Sequence, residues 1–295
     1  MRIGIAGLGR MGAAIGLRLI ETGHELTVWN RSPEKTKPLI EAGATLAASP
    51  AELARIVDAI ITILTNAEAL DAVYANPAGI LAADLSGKLV VEMSTVQPHD
   101  EVSLAEKVRS RGAAFVECPV GGTTGPARQG KLLGLVGGEV ADVARARPLL
   151  DQICRRVEHV GPVGAGASMK LAINLPLLVA YQALGEAYTL CRHLGLDNTE
   201  LMELFSDTSG GPNVLKVRGP AIAAALSGAE PGLPAFDIDS IRKDLRTMIA
   251  EAHRLGSSLP LVERTLAVYD DAARQGWGAR DGAYLPAYWP GHGKA

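Results

Sequence analysis

The chain has little of what marks several protein classes. Its three cysteines are widely spaced among 295 residues, a pattern that predicts neither a disulfide framework nor a zinc site. Lys and Arg form no dense run, and the net charge of −3 lacks the basic footprint of a nucleic-acid-binding protein. The start of the sequence lacks the features of a signal peptide. We therefore expect a cytoplasmic protein that needs no metal and binds neither nucleic acid nor a membrane.

A glycine-rich turn follows the first apolar segment. Residues 2–7 have the pattern of a short buried strand, and residues 13–20 have helical periodicity. The turn between them consists of Gly7, Leu8, Gly9, Arg10, Met11 and Gly12. A G-x-G-x-x-G motif between a strand and a helix is typical of dinucleotide binding, because its glycines allow a tight turn, close approach of a pyrophosphate and close helix packing.

Two halves of the chain differ in their periodicity. Strand-like and helix-like segments alternate up to about residue 160, which predicts a parallel sheet covered by helices, and no strand-like alternation follows. The length and the 47% hydrophobic content suit about two domains with large cores. We expect an α/β Rossmann-type domain over residues 1–162 and an all-α domain over residues 163–295.

The second predicted strand, residues 25–29, ends in Asn30, Arg31 and Ser32. In this fold an acidic residue at that point accepts from the ribose hydroxyls of NAD, whereas an arginine accommodates the 2′-phosphate of NADP. Arg31 therefore favours NADP, with NAD possible. A solvated turn arginine is the alternative, and Lys35 would add positive charge.

Polar residues also follow two later apolar runs. Residues 57–64 and 88–93 read as buried strands, and Leu64, Thr65 and Thr95 lie at or just beyond their ends. Ligands of open parallel sheets bind at the carboxyl ends of the strands, so we expect these residues to contact the cofactor. Helix capping is the alternative for such Thr and Asn residues.

A loop rich in glycine and threonine follows the strand predicted at residues 114–118. Backbone N–H groups of Gly121, Gly122 and Thr123 could form a nest that binds a carboxylate. A plain flexible loop would have the same composition.

The segment from Gly164 to Asn174 opens the longest apolar stretch. On a helix, Lys170 and Asn174 would lie one turn apart on the same face. An ammonium group placed there could stabilise the charge that develops on a carbonyl oxygen and donate a proton to it. An exposed, purely solvated lysine is the alternative.

Four motifs occur in order along the chain. They are Gly7-Leu-Gly9-Arg-Met-Gly12, Glu117-Cys-Pro-Val-Gly-Gly-Thr123, Gly164-x-Gly166-x-x-x-Lys170-x-x-x-Asn174 and Lys243-Asp-Leu. Together they resemble the motifs of the β-hydroxyacid dehydrogenase family, which includes 3-hydroxyisobutyrate dehydrogenase, tartronate semialdehyde reductase and glyoxylate/succinic semialdehyde reductase. The resemblance covers essentially the whole chain.

The resemblance implies roles for individual residues. Lys170 would be the catalytic lysine, Asn174 and the backbone of residues 121–123 would hold the substrate, and Thr95 and Lys243 would contact the cofactor. Three positions depart from the family pattern: Gly121 replaces a serine, Thr123 a glycine, and Leu175 a frequent asparagine. These departures leave the particular substrate open.

Three functions are compatible with this pattern. The first is an NADPH-dependent reductase of small carboxylate-bearing aldehydes, which would oxidise the corresponding β- or γ-hydroxyacid in reverse. The second is an imine reductase on the same scaffold, although such relatives usually lack the lysine. The third is a non-catalytic NADP-binding module.

The helical half also suggests an assembly. One small domain could hardly cover the apolar residues of 171–190, so we expect a homodimer or homotetramer. The stretch from Trp277 to Ala295, rich in Gly, Pro, Tyr and Trp, reads as an irregular tail that packs on a partner subunit.

Overall fold

The structure is a computed structural model that describes residues 1–292. It divides into two compact units, Met1–Lys170 (unit 1) and Leu171–Ala295 (unit 2). The expected α/β domain followed by an all-α domain is confirmed. The predicted boundary after residue 162 precedes a long helix whose first residues belong to unit 1, and it stays a prediction.

A single mostly parallel sheet forms the centre of unit 1. Its strands are β1 Arg2–Ala6, β2 Glu25–Trp29, β3 Thr45–Leu46, β4 Ala59–Thr62, β5 Leu89–Glu92, β6 Ala114–Glu117, β7 Val120–Gly121, β8 Leu132–Gly138 and β9 Cys154–Gly161. The order is β3-β2-β1-β4-β5-β6-β8-β7, with β9 paired to β8. Strand β8 runs antiparallel to both β6 and β7, while the strands from β1 to β6 pair in parallel. The carboxyl ends of the parallel strands therefore lie at one edge.

Helices cover both faces of this sheet. They are α1 Arg10–Glu21, α2 Lys37–Glu41, α3 Pro50–Ile56, α4 Ala67–Tyr74, α5 Pro98–Arg109, α6 Thr124–Arg128 and α7 Val140–Ile153. Two buried apolar clusters result, one around Ile5 and Val91 and the other around Ile60 and Phe115. Continuous apolar runs in β4 and β5 are explained by burial on both faces.

Unit 2 is built from helices around one apolar cluster. The helices are α8 Ala165–Cys191, which begins in unit 1, α9 Asn198–Ser206, α10 Val214–Leu226, α11 Ile238–Arg254, α12 Pro260–Ala272 and α13 Leu285–His292. Gly195, with φ of 67°, ends the 3-10 turn that extends α8, a left-handed conformation that glycine adopts readily at a helix C-terminus. The Asp197 carboxylate accepts from the N–H groups of Thr199 and Glu200 and starts α9.

The prediction of an irregular tail is wrong for residues 282–292, which are helical, while residues 293–295 lie outside the described part. Asp281 accepts from the N–H of Ala283 at 2.9 Å, and the 3-10 turn that this starts leads directly into α13. Tyr284 and Tyr288 are buried, and Tyr288 belongs to the apolar core of unit 2. These aromatic side chains are buried within unit 2 itself. The high Gly and Pro content of the segment therefore did not indicate an irregular structure.

One segment, Ala165–Leu194, is long and apolar enough to cross a membrane by length and composition alone, with a mean hydropathy of 1.2. A core helix of a soluble protein meets the same criterion. Within its most apolar window, 39% is buried inside the structure.

Candidate functional site

The three motif glycines occupy three different environments. A Cβ atom on Gly7, whose φ is 101°, would lie 2.2 Å from the carbonyl oxygen of Ile63. A Cβ atom on Gly12 would lie 2.0 Å from the carbonyl oxygen of Gly7. Gly9, which precedes α1, has no neighbouring heavy atom within 4 Å of the Cβ position. The fold itself requires Gly7 and Gly12, whereas the space at Gly9 suits the close approach of a dinucleotide to a helix N-terminus.

The remaining residues of this turn are held from two sides. Leu8 is buried, and its N–H donates to Asn30 Oδ1 at 2.9 Å. The Asn30 amide also donates to the carbonyl oxygen of Ser32 at 2.9 Å. Asn30 therefore connects the glycine turn with the end of β2. Arg10 is exposed and Met11 half-buried in the first turn of α1.

Arg31 and Lys35 lie just beyond β2, and both side chains are exposed. The structure therefore leaves two cations accessible at the point where the sequence predicts the adenosine 2′ position.

A hydrogen bond to a serine links the segments that follow β4 and β5. Leu64 donates its N–H to Ser94 Oγ at 2.7 Å, while Thr65 is exposed and Thr95 half-buried next to them. Asn66 caps α4 by accepting from the N–H of Ala69 at 3.0 Å. The capping alternative is thus realised for Asn66, and the polar ends of the two strands lie side by side.

The predicted nest lies between the sheet and a short helix. Gly121 belongs to β7, which pairs with β8. Gly122 has φ of 128°, and a Cβ there would lie 2.8 Å from the Leu132 side chain. Thr123 precedes α6 with extended backbone angles. Gly121 is thus part of the sheet, while the carboxylate-binding role of residues 121–123 stays a prediction.

Helix α8 carries both Lys170 and Asn174. Lys170 is half-buried and Asn174 is 8% exposed. Within unit 2, the Asn174 amide donates to Asp244 Oδ2 at 3.3 Å, and Asp244 forms an ion pair with Lys243. The Asp244 carboxylate, 3% exposed, thus connects two predicted site residues. Sequence reasoning missed its role, although the acid directly after Lys243 was a signal.

Sequence reasoning also missed three carboxyl groups buried in unit 1. Glu92, Glu101 and Glu117 are each 0% exposed. Burial raises the pKa of Glu92, and burial together with the adjacent charge of Glu92 raises the pKa of Glu101 well above its ordinary value. No other donor or acceptor group bonds to the carboxyl oxygens of Glu101 in the described part of the chain. Burial and the charge of Glu92 therefore both favour the neutral form of Glu101.

Glu117 has a different environment from the other two acids. Burial raises its pKa to about 7, against three backbone N–H donors that lower it. The charge of Glu92 raises it further. Glu117 therefore changes its charge close to neutral pH.

Two other features lie apart from these residues. Over residues 1–292, no group of three or more His, Cys, Asp or Glu side chains is arranged to hold a metal ion. A cavity of about 340 Å³ in unit 2 is lined by Tyr188, Trp277, Arg280 and Tyr284 among others, with the Arg280 guanidinium 4.1 Å from the centre of the Trp277 ring. It contains none of the predicted site residues.

Comparison with known proteins covers both halves of the chain. A family model described as the NAD binding domain of 6-phosphogluconate dehydrogenase matches residues 2–161. A second, described as NAD-binding of NADP-dependent 3-hydroxyisobutyrate dehydrogenase, matches residues 164–288.

Individual relatives are similar over nearly their full length. Glyoxylate/succinic semialdehyde reductase 1 of Arabidopsis thaliana is 31% identical over 95% of this chain and 96% of its own. The 3-sulfolactaldehyde reductase of Escherichia coli is 33% identical over 95% and 92%. The solved structure of Mycobacterium tuberculosis 3-hydroxyisobutyrate dehydrogenase with L-serine has a TM-score of 0.85 at 25% identity, covering 97% of this chain and 98% of that one.

Proposed function

Because the chain belongs to the β-hydroxyacid dehydrogenase family and is an NAD(P)-dependent oxidoreductase of hydroxyl and aldehyde groups, we propose that it is an NADPH-dependent reductase of small carboxylate-bearing aldehydes. The reverse reaction would oxidise the corresponding β- or γ-hydroxyacid. The observation that carries the proposal is the half-buried Lys170 one helical turn before Asn174 on α8. The names of the relatives support it, since glyoxylate, succinic semialdehyde and 3-sulfolactaldehyde each combine an aldehyde with an anionic group.

We assign cofactor binding to the glycine turn, the strand-end residues and the Lys243 motif. When bound, the nicotinamide cofactor supplies or accepts the hydride. The residues proposed to hold it are Gly7, Leu8, Gly9, Arg10, Met11, Gly12, Asn30, Arg31, Ser32, Leu64, Thr65, Thr95 and Lys243. The open N-terminus of α1 suits a pyrophosphate, and the exposed Arg31 suits the 2′-phosphate of NADP.

Lys170 has the chemical role in this proposal. When the aldehyde carbon is reduced, negative charge develops on its oxygen, and the Lys170 ammonium stabilises that charge and donates a proton to it. In the reverse direction the Lys170 amine accepts the proton of the hydroxyl group. Asn174 and the backbone N–H groups of Gly121, Gly122 and Thr123 bind the substrate carboxylate.

A panel of aldehydes tests the proposal. NADPH consumption is measured with glyoxylate, succinic semialdehyde, methylmalonate semialdehyde, tartronate semialdehyde and 3-sulfolactaldehyde, and kcat/KM ranks them. A cyclic imine serves as the control for imine reduction, which the retained Lys170 argues against. Turnover of at least one anionic aldehyde is expected. NADPH binding without any turnover would instead support the non-catalytic module.

We also propose that the protein is a cytoplasmic homodimer or homotetramer assembled through its helical unit. Apolar side chains on α8 support this, since Ile173 is 39% exposed and Leu190 is 79% exposed. Exposed apolar side chains on this helix favour association with a second copy. Light scattering at micromolar concentration should show at least a dimer, and a monomer would refute the assembly.

A further inference from the structure

The carboxylate of Glu117 closes the N-terminus of α8. Glu117 Oε1 accepts from the N–H groups of Gly164 and Gly166, the latter at 2.9 Å, and Oε2 accepts from the N–H of Ala167 at 3.1 Å. The first N–H groups of a helix have no acceptor within the helix. One buried side chain thus satisfies three backbone donors where α8 begins.

Two glycines make room for this arrangement. Gly137 on β8 pairs with Glu117 on β6, and a Cβ on Gly137 would lie 2.2 Å from Glu117 Oε1. A Cβ on Gly166 would lie 2.4 Å from the carbonyl oxygen of Leu135. Gly137 leaves space for the carboxylate, and Gly166 allows the start of α8 to contact the sheet. The helix end is therefore held at a fixed distance from β6 and β8.

Lys170 lies one turn beyond the groups that Glu117 binds. In an α-helix the N–H of Lys170 donates to the carbonyl oxygen of Gly166, and the N–H of Gly166 donates to Glu117. We infer that Glu117 is a positioning residue for Lys170, holding the start of α8 so that the ammonium meets the substrate carbonyl. This inference rests on the function proposed for Lys170.

The strength of this contact depends on the charge of Glu117. The titratable groups that face it are Glu92 on β5, Glu101 on α5 and the neighbouring Cys118. None of these carries positive charge, so the N–H groups and the positive end of the α8 dipole compensate the carboxylate. Protonation converts one acceptor oxygen into a donor, and the cap should be strongest above neutral pH.

An ordinary helix cap provides the matched control. Ser49 Oγ accepts from the N–H of Glu52 at 3.1 Å and starts α3, but α3 carries none of the proposed site residues. Replacing either residue should weaken the hydrogen bonds at the N-terminus of its own helix. If Glu117 also positions Lys170, only its replacement should lower kcat.

The test uses Glu117→Gln, Glu117→Asp and Ser49→Ala in the full chain. Measured quantities are kcat and KM for the best aldehyde of the panel, the Kd of NADPH, and amide hydrogen exchange over residues 164–174. In Glu117→Gln, kcat should fall by about tenfold to a hundredfold, as for a catalytic group displaced by about 1 Å. Its KM and Kd should stay within about threefold of the wild type, because ground-state binding is retained.

Exchange and activity should change together. Amides at the start of α8 should exchange about tenfold faster in Glu117→Gln, with a smaller change in Glu117→Asp, which keeps the charge on a shorter side chain. Wild-type kcat should fall as pH drops below neutral, and this acidic decline should be absent in Glu117→Gln. Ser49→Ala should lower the thermal midpoint and leave kcat within about twofold.

Two results would overturn the inference. One is faster exchange with unchanged kcat, and the other is reduced kcat with unchanged exchange. If Glu117→Gln does not fold, Glu117→Asp is compared with the wild type by the same two measurements. Exchange requires no substrate, so a wild type that is inactive on the whole panel would refute the proposed function separately.

Discussion

Two helices that begin in unit 1, α1 and α8, differ in whether a side chain of the protein binds their first N–H groups. Each has a glycine pair of the same spacing, Gly7-x-Gly9 just before α1 and Gly164-x-Gly166 across the first residues of α8. At α1 the position beside Gly9 is open, whereas at α8 the N–H groups are bound by Glu117. The partial positive charge of a helix N-terminus attracts an anion in either case.

A glycine pair at a helix N-terminus therefore does not by itself specify a cofactor site. An open end is suited to an anion that arrives from solution, such as a pyrophosphate. A closed end is bound by an anion of the protein itself and becomes a rigid support for side chains further along the helix. The glycines permit an anion to approach the helix N-terminus closely. Whether that anion is a ligand or a side chain depends on the residue that faces the helix end.

The largest expected effect on kcat comes from replacing Lys170, which lies on α8 one turn beyond the N–H groups that Glu117 binds. Lys170→Ala removes the proposed proton donor and should reduce kcat by about 10²- to 10³-fold, as loss of one stabilising donor does. NADPH affinity should stay within a few-fold, measured by fluorescence titration. A mutant that keeps more than roughly a tenth of wild-type kcat would contradict the role of Lys170.

The Glu117 carboxylate at the N-terminus of α8 should make the unfolding free energy depend on pH. The pKa of Glu117 is raised from 4.5 to about 7 in the folded chain, so the folded state keeps a proton that the unfolded state has lost. This contribution is fully present below pH 4.5 and is lost as pH rises through about 7, at a cost of about 3 kcal/mol of unfolding free energy.

Urea denaturation between about pH 5 and 8 measures this effect. Glu117→Gln, which is neutral throughout, should show a smaller decline of unfolding free energy with rising pH than the wild type. Glu101→Gln should also flatten the curve, because the pKa of Glu101 is raised well above its ordinary value. Equal slopes in all three proteins would show that folding does not raise the pKa of either acid.

Alanine substitutions at Gly12 and Gly9 distinguish the glycine that the fold requires from the glycine proposed to lie beside the cofactor. Gly12→Ala would place a Cβ 2.0 Å from a backbone oxygen and should destabilise unit 1 by about 1–3 kcal/mol. Gly9→Ala meets no atom within 4 Å and should cost less than about 1 kcal/mol. Only Gly9→Ala should weaken NADPH binding without altering the thermal midpoint appreciably. Unchanged affinity in Gly9→Ala would argue against dinucleotide binding at the open end.

The smallest effect is expected at Arg31, which is exposed. A charge-assisted hydrogen bond to the 2′-phosphate, weakened by solvent, should contribute about tenfold in preference for NADPH over NADH. Arg31→Ala should abolish most of this preference, and Arg31→Asp should reverse it, as measured by kcat/KM for both cofactors. Lys35→Ala, in the same turn, is the control. A preference that falls in Lys35→Ala but not in Arg31→Ala would move the assignment to Lys35.

The α/β part was predictable because its signals are local. The glycine turn, the apolar runs and the strand-end polar residues each occupy a few consecutive positions, and the fold class, the family and nicotinamide cofactor binding are confirmed. The roles of Lys170, Asn174 and the other site residues stay predictions. The tail prediction failed because composition does not show that Tyr284 and Tyr288 are buried in the same unit.

The functional contacts that sequence reasoning missed are between residues far apart in the chain. Glu117 binds N–H groups 47 to 50 residues later, and Asp244 binds an amide 70 residues earlier. Propensity and periodicity carry no information about such pairs. The available hint was chemical, since an acid within the apolar run Ala-Phe-Val-Glu-Cys must find donors if it is to be buried.

Asn30 has a practical consequence for protein engineering. Its side chain holds both the Leu8 N–H and the Ser32 carbonyl oxygen, so it anchors the turn that carries Arg31 to the one that precedes α1. A library that randomises residues 31 to 35 while retaining Asn30 should keep this anchor intact. If Arg31 has the proposed role, such a library would change the coenzyme preference without altering the backbone turn that Asn30 holds.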